Sequence, residues 1–308
     1  MRVVFSNSLD VHANLASEDV LLDDPDVTQP CLFIYRNRPS VVIGKNQIPW
    51  RECATARLPA SSIDLARRIS GGGTVVHDEG NWNFSLIVAR ESYSRCEVLK
   101  AFIRGLGACG LRAALAGETS IAVDGRKVSG NAFCFRRNKV LHHGTLLWNS
   151  DLTRLRSALI PALEGIETRA IASVRMPVVN VTELLPGVNE DAVVHAIIHA
   201  WAELFGAPSI SRLDPSSLPG VDDRSRGMRE WSWLFGTTPD FEWSAYPDEN
   251  TSWRFEVHRG MIRQVAGMAA DMTTRLTGQP FTHDRLTEAA SATGAGASVL
   301  NWLKRNPF

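Results

Sequence analysis

Three consecutive glycines stand between an arginine pair and a β-branched run, in Arg67-Arg68-Ile69-Ser70-Gly71-Gly72-Gly73-Thr74-Val75-Val76-His77-Asp78. Glycine lacks the Cβ that keeps other groups away from a backbone, and it adopts φ > 0 without strain. A chain built this way has to form a bare loop that opens directly into a strand. Backbone N–H groups in such a loop, next to basic side chains, can wrap an anion. Taken alone, such a triplet is more often a flexible turn before a strand. A second segment, Gly125-Arg126-Lys127-Val128-Ser129-Gly130-Asn131-Ala132, followed by His142-His143-Gly144-Thr145, adds further groups capable of chemistry.

The order of elements predicts the fold class. Val11, Leu15 and Leu22 share a helical face over 10–23, and Cys31–Tyr35 and Ser40–Ile43 read as two strands around Asn37-Arg38-Pro39. Asn83–Val88 reads as another strand. Ser94-x-x-Glu97 has the form of a capping box ahead of a helix carrying Val98, Leu99, Phe102, Ile103 and Leu106. Strand patterns follow at 119–123, 132–136 and 140–148, with Asp124-Gly125 as a hairpin turn. Glu190–Phe205 is again helical. Strands and helices mix without strict βαβ alternation, which favours α+β over a doubly wound sheet.

At 308 residues, one large domain and one smaller one are expected. The Ser-, Pro-, Asp- and Gly-rich stretch Pro208–Arg226 reads as the connection, giving domains at 1–222 and 223–308. Beyond it, Trp231, Trp233 and Trp243 read as packing for the small domain. Helical patterns at 271–277 and 284–304 end the chain, the second interrupted by Gly294 and Gly296.

Charge and cysteine usage exclude whole classes. The chain has 33 basic and 33 acidic side chains, so it lacks the cationic excess that broad nucleic-acid binding needs. No apolar run approaches the roughly 20 residues that span a bilayer, and the apolar start is too short for a secretory signal. Five scattered cysteines without a C-x-x-C pair read as reduced thiols of a cytoplasmic protein.

The triplet matches neither G-x-x-x-x-G-K-[ST] nor G-x-G-x-x-G, which disfavours P-loop and Rossmann chemistry. Lys127, paired with Arg126 and followed by small residues, is a compact cation able to neutralise phosphate oxygens during nucleotidyl transfer to a carboxylate. A surface lysine on a hairpin satisfies the same segment. His142 and His143 point to opposite faces of a strand and do not share a metal ion, so no metal site is expected.

Arg67 to Asn81 closely resembles the signature of lipoate–protein ligases and lipoyltransferases. So do Asn14-Leu15-Ala16-x-Glu18, Pro39 to Trp50, Gly125 to Ala132 and His142 to Leu147, in the family's order. Trp231 to Phe241 is similar to the start of the accessory domain in two-domain members. The resemblance implies a mixed-sheet catalytic domain of the biotin/lipoate ligase type and a small C-terminal α/β domain. It implies that lipoate and ATP give lipoyl-AMP, and that a target lysine then takes the lipoyl group. By matched positions, catalysis falls to Lys127. Nucleotide or lipoyl-AMP contacts fall to Arg68, Ser70, Gly71, Gly72, Gly73, Thr74, Val75, Val76, His77, Ser129, Gly130 and His143. Mg²⁺ is implied with ATP, although the sequence shows no carboxylate cage for it. The implied acceptors are lipoyl domains of 2-oxoacid dehydrogenase E2 subunits and the glycine-cleavage H protein.

Three other functions fit parts of the pattern. Octanoyl transfer through a thioester needs a nucleophilic cysteine, and Ala116 to Ile121 offers none where the Cys-dependent relatives carry theirs. A transferase using preformed lipoyl-AMP shares the Trp-rich block. A non-catalytic binding module would keep the glycines without needing Lys127.

Overall fold

The computed structural model describes residues 1–170 and 172–308. Fourteen strands are described: β1 (Arg2–Ser6), β2 (Cys31–Tyr35), β3 (Ser40–Ile43), β4 (Asp64–Arg67), β5 (Val75–His77), β6 (Asn81–Ala89) and β7 (Ala114–Ala116) come first. Then follow β8 (Ser120–Val123), β9 (Arg126–Arg136), β10 (Lys139–Leu147), β11 (Ser209–Leu213), β12 (Phe241–Asp248), β13 (Thr251–His258) and β14 (Met261–Ala266).

Eight of them form one mixed sheet in the order β11-β1-β2-β6-β10-β9-β8-β7. β11, β1 and β2 run parallel and the remaining pairs antiparallel. One face packs against the helices Arg95–Ala108 and Glu190–Phe205, around Phe84, Leu86, Phe102, Ile197 and Trp201. The other carries Phe33, Tyr35, Ile87 and Leu141 against the helix Val11–Asp23. Each fully buried side chain of this size stabilises the fold by about 1.5–3 kcal/mol. Asp10, Ser94 and Asn189 cap the three helices by accepting first-turn N–H bonds. Asp124 and Gly125 both take positive φ, the turn type that matches strand twist in the β8–β9 hairpin.

A three-stranded sheet in the order β4-β3-β5 lies beside the first. β4 ends at Arg67 and β5 begins at Val75, so the glycines bridge the two strands that flank β3.

The stretch expected as a connection is ordered structure. Ser209–Leu213 adds β11 to the large sheet through the main chain of β1, and the helix Val221–Arg229 runs across position 222, with Val221 and Met228 in the same core as Leu15 and Phe33. The side chains of β11 are mostly exposed, so backbone pairing rather than an apolar pattern makes it a strand.

β12, β13 and β14 form an antiparallel meander backed by helices Ala270–Leu276, His283–Ala292 and Ala297–Arg305. Its core is aromatic, with Trp243, Trp253, Phe255, Phe281 and Phe308. Trp50, from the first unit, is inserted here with ring centroids 5.2 Å from Phe235 and 5.2 Å from Phe281. Arg67 adds a polar staple: its guanidinium donates to Gly44 O, Lys45 O, Gln47 O, Leu234 O and Thr238 Oγ1. Trp231 and Trp243 are thus packing for this unit, as their composition predicts, whereas Trp233 packs against the other core, with Phe33 and Val42, and donates to Arg67 O.

Candidate functional site

Arg68 builds the glycine loop from inside. Its guanidinium is buried and donates to Gly71 O and Gly73 O at 2.7 Å each, to Val42 O at 3.1 Å and to Ser70 Oγ at 3.0 Å. Burial lowers its pKa to about 10, which leaves it cationic at neutral pH. Among the described residues, the N–H groups of Gly71, Gly72 and Gly73 donate to no backbone acceptor. Gly72 holds φ +87°, where an L side chain is strained. With carbonyls drawn to Arg68, the loop keeps a positively polarised backbone free for a ligand.

Two buried polar chains fix the walls. Asn14 Nδ2 donates to Asn37 Oδ1 at 2.8 Å, leaving Asn37 Nδ2 to donate to His77 Nδ1 at 2.8 Å. His77 therefore carries its proton on Nε2, which has no partner among the described residues. Burial, with Arg68 nearby, lowers its pKa to about 3, so it is neutral. In the second chain, His143 Nδ1 donates to Glu18 Oε2 at 2.9 Å, and Ser70 Oγ lies 2.6 Å from His143 Nε2. Tyr35 and Ser85 also donate to Glu18. Burial opposes the Glu18 charge, yet His143 and the two hydroxyls outweigh it and hold the carboxyl below its usual range. The order resembles a Ser-His-Glu triad, but Ser70 is 2% exposed and accepts from Arg68. It holds the loop and offers no free nucleophile.

Lys127 reaches this cavity because β9 carries a bulge. Ala122 pairs with Lys127, while Ile121 pairs with Ser129, so Val128 is the extra residue. Strict alternation would set Lys127 and Gly130 on opposite faces. The bulge turns them to the same one, as bulges commonly re-aim a side chain. A Cβ on Gly130 would lie 2.4 Å from Lys127 Nζ, so the amine rests directly over that backbone. Burial, with Arg68 adding to it, lowers the Lys127 pKa.

The cavity has two compartments that meet at Lys127, Thr74, Val75 and Thr145. One is walled by Leu15, Tyr35, Val42, His77 and His143 with the glycine loop. The other holds Asn81, Leu155, Leu159, Arg156 and Arg175, with Met176 to Val178. Asn81 Oδ1 there is buried and unpartnered among the described residues. Ser173 closes the roof between them: its Oγ accepts from Thr74 N at 2.8 Å and Gln47 Nε2 at 3.0 Å and donates to Glu52.

Of the residues singled out from sequence, Arg68, Gly71 to Val75, His77, Lys127, Gly130 and His143 line the first compartment. Val76 and Ser129 line the second, with Thr74, Val75 and Lys127 shared. Ser70 lines neither. Sequence reasoning missed Tyr35, Glu52, Asn81 and the segment from Ser173 to Val178. The last lies in an irregular loop with no periodic signal, whereas Glu18, a carboxylate beside Leu15 and Leu22, was a legible anomaly in its helix. Among the described residues, no group of three or more His, Cys, Asp or Glu is placed to hold a metal.

Residues 10–202 match the lipoyl protein ligase A/B catalytic domain. Lipoate-protein ligase A of Bdellovibrio bacteriovorus is 32% identical over 335 aligned positions, covering 99% of this chain and 98% of that protein. The structure of P. falciparum LipL1 in complex with lipoate is similar, with a TM-score of 0.68 at 21% identity over 99% of this chain and 98% of that one. Lipoate-protein ligase A bound with ATP gives a TM-score of 0.60 at 24% identity, over 73% of this chain and 92% of the other. At these identities the structural likenesses speak to the fold.

Proposed function

The chain belongs to the lipoyl protein ligase A/B family, and from that premise we propose that its cavity holds lipoyl-AMP with the mixed anhydride over Lys127. The protein is an ATP-dependent lipoate–protein ligase. A lipoate carboxylate oxygen attacks the α-phosphorus of ATP and pyrophosphate leaves. A lysine amine of the acceptor then attacks the lipoyl carbonyl, loses a proton and expels AMP.

The meeting of the two compartments at Lys127 carries this reading. The compartment with Leu15, Tyr35 and Val42 suits the lipoyl chain, each buried CH₂ contributing about 0.8 kcal/mol. His77 Nε2–H supplies a buried donor there. The compartment with Arg156 and Arg175 suits AMP, and the orphaned Asn81 carbonyl suits an exocyclic amine. At the junction, the Lys127 ammonium neutralises phosphate charge and polarises the carboxylate carbonyl. One such preorganised group contributes on the order of 3 kcal/mol to the transition state. In this reading Arg68 and Ser70 act through the loop they shape. The residues fit no carboxylate cage for Mg²⁺, and no step here runs through it.

The acceptors are lipoyl domains, and we extend this to those of 2-oxoacid dehydrogenase E2 subunits and to the H protein. Use of ATP and five free thiols accord with a cytoplasmic setting. The test is lipoate-dependent exchange of pyrophosphate into ATP, followed by mass spectrometry of an unmodified lipoyl domain. Exchange and a single lipoyl adduct support the ligase. Adduct only from supplied lipoyl-AMP would reduce the chain to a transferase.

A further inference from the structure

β9 outlasts its neighbour beside the cavity. Its last residue paired with β8 is Gly130, and Asn131 N donates to Thr119 O at 2.8 Å just beyond. From Ala132 to Arg136 the strand pairs only with β10, so its other edge is open among the described residues. Main-chain groups alternate along a strand. Since Asn131 N points to the open side, the N–H and C=O of Phe133 and Phe135 point there too.

This edge borders the mouth, because Thr119, Asn131, Ala132 and Phe133 line the cavity that contains Lys127. Its side chains are apolar and cationic. Phe135 is 55% exposed, with the Arg90 guanidinium 5.5 Å from its ring, and Arg95 lies 5.9 Å from the Phe133 ring. Arg95 is also paired with Glu118 at 3.2 Å, whereas Arg90 and the exposed Arg137 have no carboxylate partner among the described residues. The chain is neutral overall, yet residues 90–139 contain ten Lys or Arg against four Asp or Glu. An open edge with this charge is a template for an extended, acidic segment.

We propose that the acceptor protein docks by adding an acidic, extended segment to the open edge of β9 at Phe133–Phe135, which brings its target lysine to the mouth above Lys127. The proposal rests on the ligase reading for the identity of the partner. Backbone pairing supplies the register, Phe135 supplies an aromatic anchor, and Arg90 and Arg137 select for acidic flanks.

The test uses the full chain and an unmodified lipoyl domain, with the dissociation constant measured by calorimetry. Phe135→Ala removes the ring, and Phe135→Pro also removes an edge N–H without touching the β10 ladder. Arg90→Glu with Arg137→Glu reverses the exposed charge. Phe135→Pro should bind about tenfold more weakly than Phe135→Ala, and the double reversal about tenfold more weakly than wild type, with affinity falling as salt rises. Lipoate-dependent pyrophosphate exchange, measured without acceptor, should be unchanged in all of them. Equal affinity for the Pro and Ala variants, together with wild-type affinity in the double reversal, overturns the proposal. A wild-type protein without exchange would instead sink the ligase reading, while the same affinities still judge the docking edge.

Discussion

Gly130→Ala is the most exacting perturbation of this site, because it moves one charge and little else. An alanine Cβ would lie 2.4 Å from Lys127 Nζ and 2.6 Å from Cε. Favourable contact needs about 3.5 Å, so the ammonium retreats by about 1 Å. At an effective dielectric of about 20, a unit charge 3 Å from a phosphate oxygen is attracted by about 5.5 kcal/mol, and at 4 Å by about 4.2 kcal/mol. The difference of about 1.4 kcal/mol predicts about a tenfold loss of rate. Folding should not suffer: Gly130 is not among the glycines with positive φ, and the group displaced is the end of a flexible side chain. The assay is lipoate-dependent pyrophosphate exchange at saturating lipoate, with thermal melts as control. In a Lys127→Ala background the same substitution should have no further effect, since the two act on one amine. A wild-type rate for Gly130→Ala, or a tenfold loss that persists without Lys127, would refute the reasoning.

Glu18→Gln leaves the buried His143, Tyr35 and Ser85 donors with one neutral acceptor group. It should lower stability by about 3 kcal/mol, seen as a lower urea midpoint at unchanged slope, and unchanged stability would show that the chain to Ser70 carries no weight. Stability should also fall on acidification. His77 and His142 are buried and neutral, with pKa values lowered by burial to about 3, while an unfolded histidine titrates near 6.5. The unfolded chain therefore takes up protons first. The stabilisation is complete above about pH 6.5 and declines toward pH 3 by about 1.4 kcal/mol per unit for each histidine. His142→Gln should lower that slope by about 1.4 kcal/mol per pH unit in urea titrations across this range. The lowered Lys127 pKa predicts that pyrophosphate exchange fails on the alkaline side below the pH at which an ordinary lysine loses its proton, and a pH–rate profile whose alkaline limb is unmoved would contradict this.

Much of this was legible in the residues. Apolar runs marked β2 and β3 to their ends, Ser94 and Asp124-Gly125 marked a helix start and a hairpin, and the glycine triplet marked the loop. These signals are local, set by side-chain period, capping and backbone freedom. The Val128 bulge was not legible, because a register shift depends on both strands, and with it the reason Gly130 sits beneath Lys127 was hidden. Ser70 illustrates the same limit: its residue type suits ligand contact, yet it lines neither compartment and its hydroxyl bonds Arg68 and His143, while Arg68 lines the cavity and also holds the loop carbonyls. β11 was hidden for the opposite reason, since Ser209 to Arg212 bury little and owe their conformation to β1.

The central claim concerns the ammonium at the junction of the two compartments. Lys127→Met keeps an unbranched, apolar side chain only one heavy atom shorter and removes the charge. Lipoate-dependent pyrophosphate exchange should fall by about 100-fold or more, with an unchanged melting temperature. A folded Lys127→Met protein that exchanges at more than about a tenth of the wild-type rate would contradict the account.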